Sequence, residues 1–253
     1  MTSSHEPADT IGRFDDRAAD YVRYRPTYPA AAIDAILEGL PAARDLAAAD
    51  IGAGTGISAR LLGDRGVRVI AVEPGRVMRA AAASHPNVVW LAARAQSTAL
   101  RSASLDLVTC AQAFHWFQSP EAVAEFARVL KPGRRLAIMW NRRSNTDPLT
   151  AGYRQAILVV GGDTAAERMG FDVAVVRAGG FFTAAERLAF PNEQQLDFEG
   201  LIGRARSASY VPKTGEAAER LEELLRELHS RHKDDEGFVR LLYETEVFRF
   251  TRR

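Results

Sequence analysis

The chain has 253 residues, of which 47% are hydrophobic and 26% charged, and its formal net charge is +1 at pH 7. These values are typical of a soluble globular protein with a full core, arranged as one large α/β domain or two small ones. Because the chain has no general positive field, its composition disfavours nucleic acid or an anionic membrane as a partner. Cys110 is the only cysteine, which excludes an intrachain disulfide and every Cys-x-x-Cys site.

The sequence also contains no metal, targeting or membrane signal. His229 and His232 are close in sequence, but they lie in a charged segment and are expected to be solvated, so no metal site is predicted. The N-terminal residues have no apolar core, and no run of about 18 apolar residues occurs, so a cytoplasmic protein without a membrane partner is expected. Residues 1–12 are predicted to be a disordered tail.

The first half of the chain alternates between strand and helix patterns. Residues 14–40 have a helical pattern that is interrupted at 25–29 by two prolines. Strands are then predicted at 46–51, 67–72, 88–91, 105–110 and 135–140, and helices at 57–64, 75–84 and 120–130. Lys131-Pro132-Gly133 is expected to end the last of these helices. Such an alternation implies right-handed crossovers and a parallel sheet.

Beyond Asn141 the alternation weakens. Helices are predicted at 151–160, 165–178, 198–207 and 216–232, an extended segment at 186–196 and a terminal strand at 244–251. No linker rich in proline, glycine or serine separates two units. The sequence therefore predicts a single domain over residues 13–253, with embedded cap elements at 13–45 and about 197–236.

The strongest local signal is a glycine loop between the first strand and its helix. The segment Asp50-Ile51-Gly52-Ala53-Gly54-Thr55-Gly56 offers positive φ angles, close backbone approach to a ligand and the free N–H groups of a helix N-terminus. Glu73 follows at the end of the second strand, where a carboxylate can accept both hydroxyls of a ribose. The two features together predict a nucleoside ligand.

The glycine spacing distinguishes between nucleoside cofactors. Dinucleotide sites typically have Gly-x-Gly-x-x-Gly, whereas this loop has Gly-x-Gly-x-Gly, with Ile57 where the third glycine often falls. The chain also lacks a Tyr-x-x-x-Lys pair for hydride chemistry. A nicotinamide oxidoreductase therefore stays as an alternative that predicts binding of NAD.

Four segments together carry a family resemblance. Asp50–Gly56, Val72–Pro74, Leu105–Phe117 and Leu130–Asn141 resemble the class I S-adenosylmethionine-dependent methyltransferases of the type 11 domain group. Residues 14–29 and 200–212 resemble a small-molecule subgroup that includes trans-aconitate methyltransferase-like proteins. The resemblance implies a Rossmann-like α/β fold: a seven-stranded, mostly parallel sheet with an antiparallel last strand, helices on both faces and a small helical cap. It also implies S-adenosyl-L-methionine as the cofactor.

The resemblance assigns cofactor contacts by position. Gly52, Ala53 and Gly54 would pass under the methionine moiety, within a loop that includes Thr55 and Gly56. Asp50 would organise this loop or meet the ammonium group through water. The remaining contacts implied are Glu73 on the ribose, Pro74 near the adenine, Ala95 and Gln96 at the adenine edge, and Ala111 and Gln112 beside the sulfonium. The family usually has a carboxylate at the adenine edge, and Gln96 departs from this as an amide.

The candidate residues on the acceptor side follow the fourth strand and the first helix. His115 is the candidate catalytic residue, as a proton acceptor or hydrogen-bond donor; the alternative is that it fixes its loop against Trp116, which is expected to line the pocket. In the resembling group the segment with Tyr21, Tyr24 and Tyr28 forms a lid, where Arg25 would pair with the methionine carboxylate or a substrate acid. Further candidates in the cap are Ser207, Ser209 and Tyr210.

The expected function is methyl transfer to a small organic molecule at a carboxylate or hydroxyl oxygen, by a monomer or homodimer. Methyl transfer needs orientation more than an acid or base, so no universal catalytic residue is expected. A nucleic-acid or protein methyltransferase is one alternative, although Cys110-Ala111-Gln112-Ala113 stands where base methylation would need a Pro-Pro-Tyr type tetrad. A non-catalytic adenosylmethionine-binding protein is another. The basic pair Arg142-Arg143 is expected to be solvated.

Overall fold

The computed structural model describes residues 18–161, 172–208 and 210–253. The predictions for the tail at 1–12, for helix at 165–171 and for Ser209 concern residues outside these ranges. Within them, no helix is both long and apolar enough to cross a membrane.

The centre of the structure is a seven-stranded sheet with the order β3-β2-β1-β4-β5-β7-β6. The strands are β1 Ala47–Ile51, β2 Arg68–Val72, β3 Val88–Leu91, β4 Leu105–Ala111, β5 Leu130–Arg143, β6 Glu186–Leu196 and β7 Val239–Thr251. Strands β1 to β5 pair in parallel, whereas β7 is antiparallel to both of its neighbours. The predicted mostly parallel sheet with an antiparallel last strand is confirmed.

The helices connect these strands and pack around the sheet. They are α1 Ala18–Tyr24, α2 Ala30–Leu37, α3 Ile57–Asp64, α4 Arg76–Ala80, α5 Pro120–Val129, α6 Pro148–Gly161, α7 Val173–Ala178, α8 Phe198–Arg206 and α9 Glu216–His232. The helix predicted at 75–84 was too long, because α4 ends at Ala80. The helix that was predicted at 120–130 and expected to end at Lys131-Pro132-Gly133 ends at Val129, and β5 begins at Leu130, which pairs with Leu105 of β4.

Two apolar clusters cover the sheet, and a third lies among the later helices. The first centres on α5 and residues such as Phe126, and the second on α2 and α3, with Ile33 and Leu62 fully buried. The third joins α6, α8 and α9 to the start of β7 through residues such as Tyr153 and Leu225. The layers are held together by burial of apolar surface, which stabilises the fold by about 25 cal/mol per Å².

Helix α1 packs against α8. The Tyr24 ring lies where any side chain at Gly203 would stand, since a Cβ built there comes within 2.3 Å of the ring. The Tyr24 hydroxyl also donates to Glu199 at 3.0 Å. The turn that follows α1 is anchored to the sheet, because the side-chain amides of Asn141 and Asn192 both donate to the Thr27 carbonyl. These contacts fix the segment before β1 over the carboxyl ends of the parallel strands.

Candidate active site

The glycine loop leaves β1 in a conformation that only glycine adopts readily. Gly52 has a φ of +70°, and the amides of Gly52 and Ala53 both donate to the Val72 carbonyl, at 2.9 and 3.1 Å. A Cβ on Gly52 would lie 2.7 Å from the Ala113 Cβ and 2.9 Å from the Phe117 ring. The backbone therefore passes between β2 and the segment after β4 with no room for a side chain.

Asp50 lies beneath this loop with no solvent exposure. Its two oxygens accept from the Ser58 hydroxyl at 2.6 Å and from the Thr109 hydroxyl at 2.9 Å. Burial raises the pKa of the Asp50 carboxyl to about 6, against the lowering effect of these two hydrogen bonds. Of the two predicted roles, this placement fits organisation of the loop.

Glu73 ties the end of β2 to the glycine loop. One carboxylate oxygen accepts from the Gly54 amide at 3.0 Å and the other from the Gly75 amide at 2.8 Å. Burial raises the pKa of Glu73 while both amide hydrogen bonds lower it. Each oxygen retains a second lone pair, so the carboxylate can still accept from a pair of vicinal hydroxyls.

The space above Gly54, called the cradle below, has room for a Cβ without a clash. A Cβ there would meet nothing nearer than the Met78 methyl at 3.5 Å and the Tyr21 hydroxyl at 3.7 Å. Thr55 is buried, and its hydroxyl has no hydrogen-bond partner. Gly56 has a φ of +78° and is the N-cap of α3, and a Cβ built on it would come within 2.9 Å of the Trp90 ring, so its role is to shape the turn. Sequence reasoning missed Met78, whose apolar side chain has no signal of its own in α4.

The residues predicted around an adenine are less closely gathered. Pro74 is half-buried between β2 and α4. Ala95 and Gln96 form a tight turn closed by a hydrogen bond from the Ser97 amide to the Arg94 carbonyl. Ala95 is buried against the first apolar cluster, whereas Gln96 is exposed.

Gln112 adopts an unusual backbone at the end of β4. It is one of three described non-glycine residues with a positive φ, here +53°. Its amide donates to the Met139 carbonyl at 2.9 Å, and its side-chain nitrogen donates to the Asn141 carbonyl at 3.3 Å. The side-chain oxygen is buried without a partner. Ala111, half-buried just before it, ends the strand. Strained backbone and an orphaned oxygen together are typical of a functional position.

His115 lies in a short 3₁₀ helix, Phe114–Trp116, which is separated from Gln112 by Ala113 alone. Its ring is 4.3 Å from the Trp116 ring and meets the Trp140 ring edge-on at 5.0 Å. Burial, with a smaller contribution from the Arg25 charge, lowers the pKa of His115 to about 4. The ring is therefore neutral at physiological pH, and its Nδ1 is buried without a partner.

The predicted lid residues separate into two groups. Arg25 stacks on the Tyr21 ring at 4.6 Å, and Tyr21 in turn lies beside Gly54, so both border the cradle. Tyr28 is buried in the second apolar cluster, and burial raises the pKa of its hydroxyl well above the usual value. Tyr24 instead fills the α1–α8 interface. The structure thus brings Tyr21 and Arg25 to the site and gives Tyr24 a packing role.

Sequence reasoning missed three residues of this region: Arg204 and Arg143 lie near Arg25, and Tyr153 lies near both of them. Ser207, already a candidate, accepts from Arg25 through its carbonyl at 3.0 Å and from Arg204 through its hydroxyl at 3.3 Å. Tyr153 is fully buried with an unpartnered hydroxyl, and the Arg143 guanidinium lies over its ring at 5.2 Å. The prediction that Arg143 is solvated was wrong, because its Nε is buried. Tyr210, half-buried, lies close enough to act electrostatically on Arg25.

Comparisons with known proteins agree on one class. The methyltransferase domain family matches residues 49–138. An uncharacterized methyltransferase-like protein of Schizosaccharomyces pombe is 30% identical over 242 residues, which cover 93% of each chain. A solved structure from Anaeromyxobacter dehalogenans, assigned provisionally as a type II methyltransferase, is 26% identical with a TM-score of 0.67, and the match covers 90% of this chain and 98% of that one.

A mycobacterial relative matches more strongly over a shorter stretch. An uncharacterized methyltransferase of Mycobacterium tuberculosis is 41% identical over 131 residues, or 51% of this chain and 52% of that protein. The match to this relative thus spans about half of its length.

The fold and the loop define a Rossmann-like methyltransferase. The chain belongs to the class I S-adenosylmethionine-dependent methyltransferases, and S-adenosylmethionine is its cofactor. Its residues fit that group. The cradle at Gly54 leaves room for a ligand close to the backbone, and the buried Thr55 and Gln112 side-chain oxygens have no partner, at the sheet edge where such a ligand binds. The narrower resemblance to trans-aconitate methyltransferase-like proteins stays a prediction.

Proposed function

We propose that this enzyme transfers the methyl group to a small organic molecule, at a carboxylate or hydroxyl oxygen. The observation that carries the proposal is the cover over the glycine loop. Tyr21 of α1 stands 3.7 Å from a Cβ built on Gly54, while Tyr24 of the same helix fills the gap to Gly203 of α8. An acceptor beneath α1 must fit between the loop and the helices, which favours a small molecule over a folded macromolecule.

When bound, S-adenosylmethionine supplies an electrophilic methyl carbon on a sulfonium. The residues proposed to hold it are the loop Gly52–Gly56 and Glu73 for the ribose, with Pro74, Ala95 and Gln96 around the adenine. Arg25 would pair with the methionine carboxylate. Ala111 and Gln112 would lie beside the sulfonium, where the Gln112 carbonyl dipole would favour positive charge. Asp50 would act at one remove, by holding the loop.

His115 is proposed to orient the acceptor with a hydrogen bond. With a pKa of about 4, the ring is a weak base at neutral pH, so strong proton abstraction from an alcohol does not suit it. Orientation and exclusion of water are what the transfer needs most, and they can contribute about 7–11 kcal/mol. Trp116 would form a wall of the same pocket. Tyr28 and Tyr210 would act behind Tyr21 and Arg25 rather than touch the acceptor directly.

A nucleic-acid or protein acceptor is the second candidate, which the net charge of +1 does not favour. The cap proposed at 13–45 and about 197–236 would also restrict the access of a nucleic-acid or protein acceptor. A monomer or homodimer is proposed for the assembly.

The test is a fractionated extract of small molecules, proteins and RNA, with production of S-adenosylhomocysteine as the readout. We expect turnover with the small-molecule fraction and none with the others; turnover with protein or RNA alone would overturn the proposal. Glu73→Gln places an NH₂ group against the Gly54 or Gly75 amide, so affinity for S-adenosylhomocysteine should fall about 10–100-fold. The control Glu219→Gln changes an exposed carboxylate on α9 and should bind normally.

A further inference from the structure

The half-buried Arg25 and the buried Arg204 share one hydrogen-bonding residue beside the proposed acceptor site. The Arg25 Nη2 donates to the Ser207 carbonyl, and the Arg204 Nη1 donates to the Ser207 hydroxyl. Ser207 is fully buried, and Arg204 is only 3% exposed. Two positive charges are therefore held close together in a region from which water is largely excluded, which is unfavourable unless an anion joins them.

No carboxylate of the described residues forms an ion pair with Arg25 or Arg204, and the Nε of each is buried without a hydrogen-bond partner. Other arginines in the same structure are paired. Arg249, for example, contacts both Glu38 at 2.9 Å and Glu186 at 2.6 Å. Arg25 and Arg204 differ from such an ion pair because Arg25 contacts a backbone carbonyl and Arg204 contacts a serine hydroxyl and the Tyr243 side chain. Burial and the neighbouring Arg204 charge accordingly lower the pKa of Arg25.

Tyr153 adds a third unused donor. Its side chain is fully buried, its hydroxyl has no partner, and burial raises its pKa to about 12, so the phenol keeps its proton at neutral pH. Arg204 and Arg143 both lie near enough to influence that hydroxyl. The Nε groups of Arg25 and Arg204 and the Tyr153 hydroxyl are thus three buried donors without an acceptor, which suit a group with several oxygens and a negative charge, such as a carboxylate or a phosphate.

The position of this set connects it to the chemistry. Arg25 stacks on Tyr21, which borders the cradle at Gly54, and the Arg25 charge also reaches His115. Arg204 of α8 is linked to Arg25 through Ser207, and Tyr153 of α6 lies near Arg204. A molecule held by Arg204 would extend past Arg25 toward the cofactor.

We propose that Arg204 and Tyr153, with Arg25, bind an oxyanion of the methyl acceptor and so select acceptors that carry a carboxylate or phosphate group. This assignment rests on the proposed small-molecule function and adds the chemical class of the acceptor. Arg25 faces both ligands, whereas Arg204 serves the acceptor alone.

The test is calorimetric titration of the full chain saturated with S-adenosylhomocysteine. The probes are succinate, inorganic phosphate and the uncharged succinamide. We expect one anion to bind and succinamide not to bind; the anion that binds tells a carboxylate site from a phosphate site. Arg204→Met should weaken the anion about tenfold or more, because a hydrogen bond to a charged group contributes on that order. The control Arg206→Met alters a half-exposed arginine on the same helix that pairs with Glu222, and it should bind the anion normally.

Tyr153→Phe protects the test against a folding failure at Arg204. It removes only an unpartnered hydroxyl, so the free protein should be as stable as the wild type, while the anion should bind more weakly.

The proposal is overturned if succinamide binds as well as the anions, if neither anion binds, or if both variants bind the anion normally. Equal losses of anion and S-adenosylhomocysteine in Arg204→Met would also overturn it, because the bound carboxylate would then belong to the cofactor. Anion binding that depends on Arg204, without turnover of any small molecule, would instead count against the proposed function.

Discussion

The glycine loop and the surface that faces it treat their buried polar groups in opposite ways. In the loop, the Asp50 and Glu73 carboxylates each accept two hydrogen bonds from the chain itself. Across the site, Arg25, Gln112, His115, Tyr153 and Arg204 all keep a buried polar atom without a partner. Apart from the Thr55 hydroxyl, the loop is a completed region whose hydrogen bonds need no ligand, whereas the surface across from it is an incomplete region.

This difference separates the two halves of the function. A loop whose hydrogen bonds are internal has one conformation whatever acceptor is used, so the cofactor can be inferred from the motif. Unpartnered buried groups cost about 1–3 kcal/mol each, and a ligand that satisfies them recovers that cost as binding energy. The acceptor side therefore holds the information on specificity, in residues far apart in sequence.

The largest expected effect comes from breaking the completed region. Gly52→Ala and Gly39→Ala both place a side chain at nearly the same φ, +70° and +74°, but only Gly52 has neighbours within 4 Å. Gly39→Ala should cost about 1–2 kcal/mol for the left-handed backbone alone. Gly52→Ala should cost about 1–3 kcal/mol more for the clash with Ala113 and Phe117, and binding of S-adenosylhomocysteine should be lost. Urea unfolding and calorimetry measure the two effects.

Equal stability losses in these two variants, with binding intact in both, would show that the loop tolerates a side chain and that the contrast between the two regions is false.

The contrast between the glycine loop and the surface that faces it also explains which parts of the molecule could be predicted from the sequence. The strand at 88–91 and the helices at 57–64 and 216–232 were predicted to the residue, because periodic apolar patterns and a glycine turn are local signals. The glycine loop and Glu73 could be found for the same reason: their spacing follows from one β-α-β unit. The hydrogen bond between Glu73 and the Gly54 amide spans only 19 residues of chain.

The anionic site could not be assembled in this way. Arg25 follows α1, whereas Tyr153 lies on α6 and Arg204 on α8. Their proximity depends on how α1 packs on α8, for which no local pattern exists. One signal was available: Arg204 shares a helix face with the buried Gly200 and Leu201, and an arginine on an apolar face is unusual. Tyr24 was predicted as a lid residue but packs against Gly203 of α8, and no feature of the sequence around Gly203 indicates this contact.

The pH dependence of the free energy of unfolding tests whether His115 belongs to the incomplete region. Its folded pKa of about 4 lies below the ordinary value of 6.5, so the unfolded chain binds the proton more tightly between these two values. Stability from the neutral ring is present above pH 6.5 and is lost as the pH falls toward 4. Asp50, with a folded pKa raised to about 6, acts in the opposite direction over the same range.

His115→Asn removes the first contribution and leaves the second. The stability of the variant relative to the wild type should therefore rise as the pH is lowered from 7 to 5, by up to about 1.4 kcal/mol per pH unit. Urea unfolding of both proteins at the two pH values measures it. A difference between variant and wild type that does not change with pH would mean that the His115 ring is solvated and not part of the incomplete region.

The smallest expected effect separates strain from function at Gln112. Glycine at a φ of +53° relieves the backbone, so Gln112→Gly should stabilise the protein by about 0.5–1 kcal/mol. Ala103, at a φ of +49° in an exposed loop, is the matched control, and Ala103→Gly should give a similar gain. Only Gln112→Gly should lose turnover, since it also removes the side-chain oxygen proposed to lie beside the sulfonium. A gain in stability with full activity would mean that the strained backbone at Gln112 has no role in the reaction. Gln112 would then not belong to the incomplete region, whereas His115 still would.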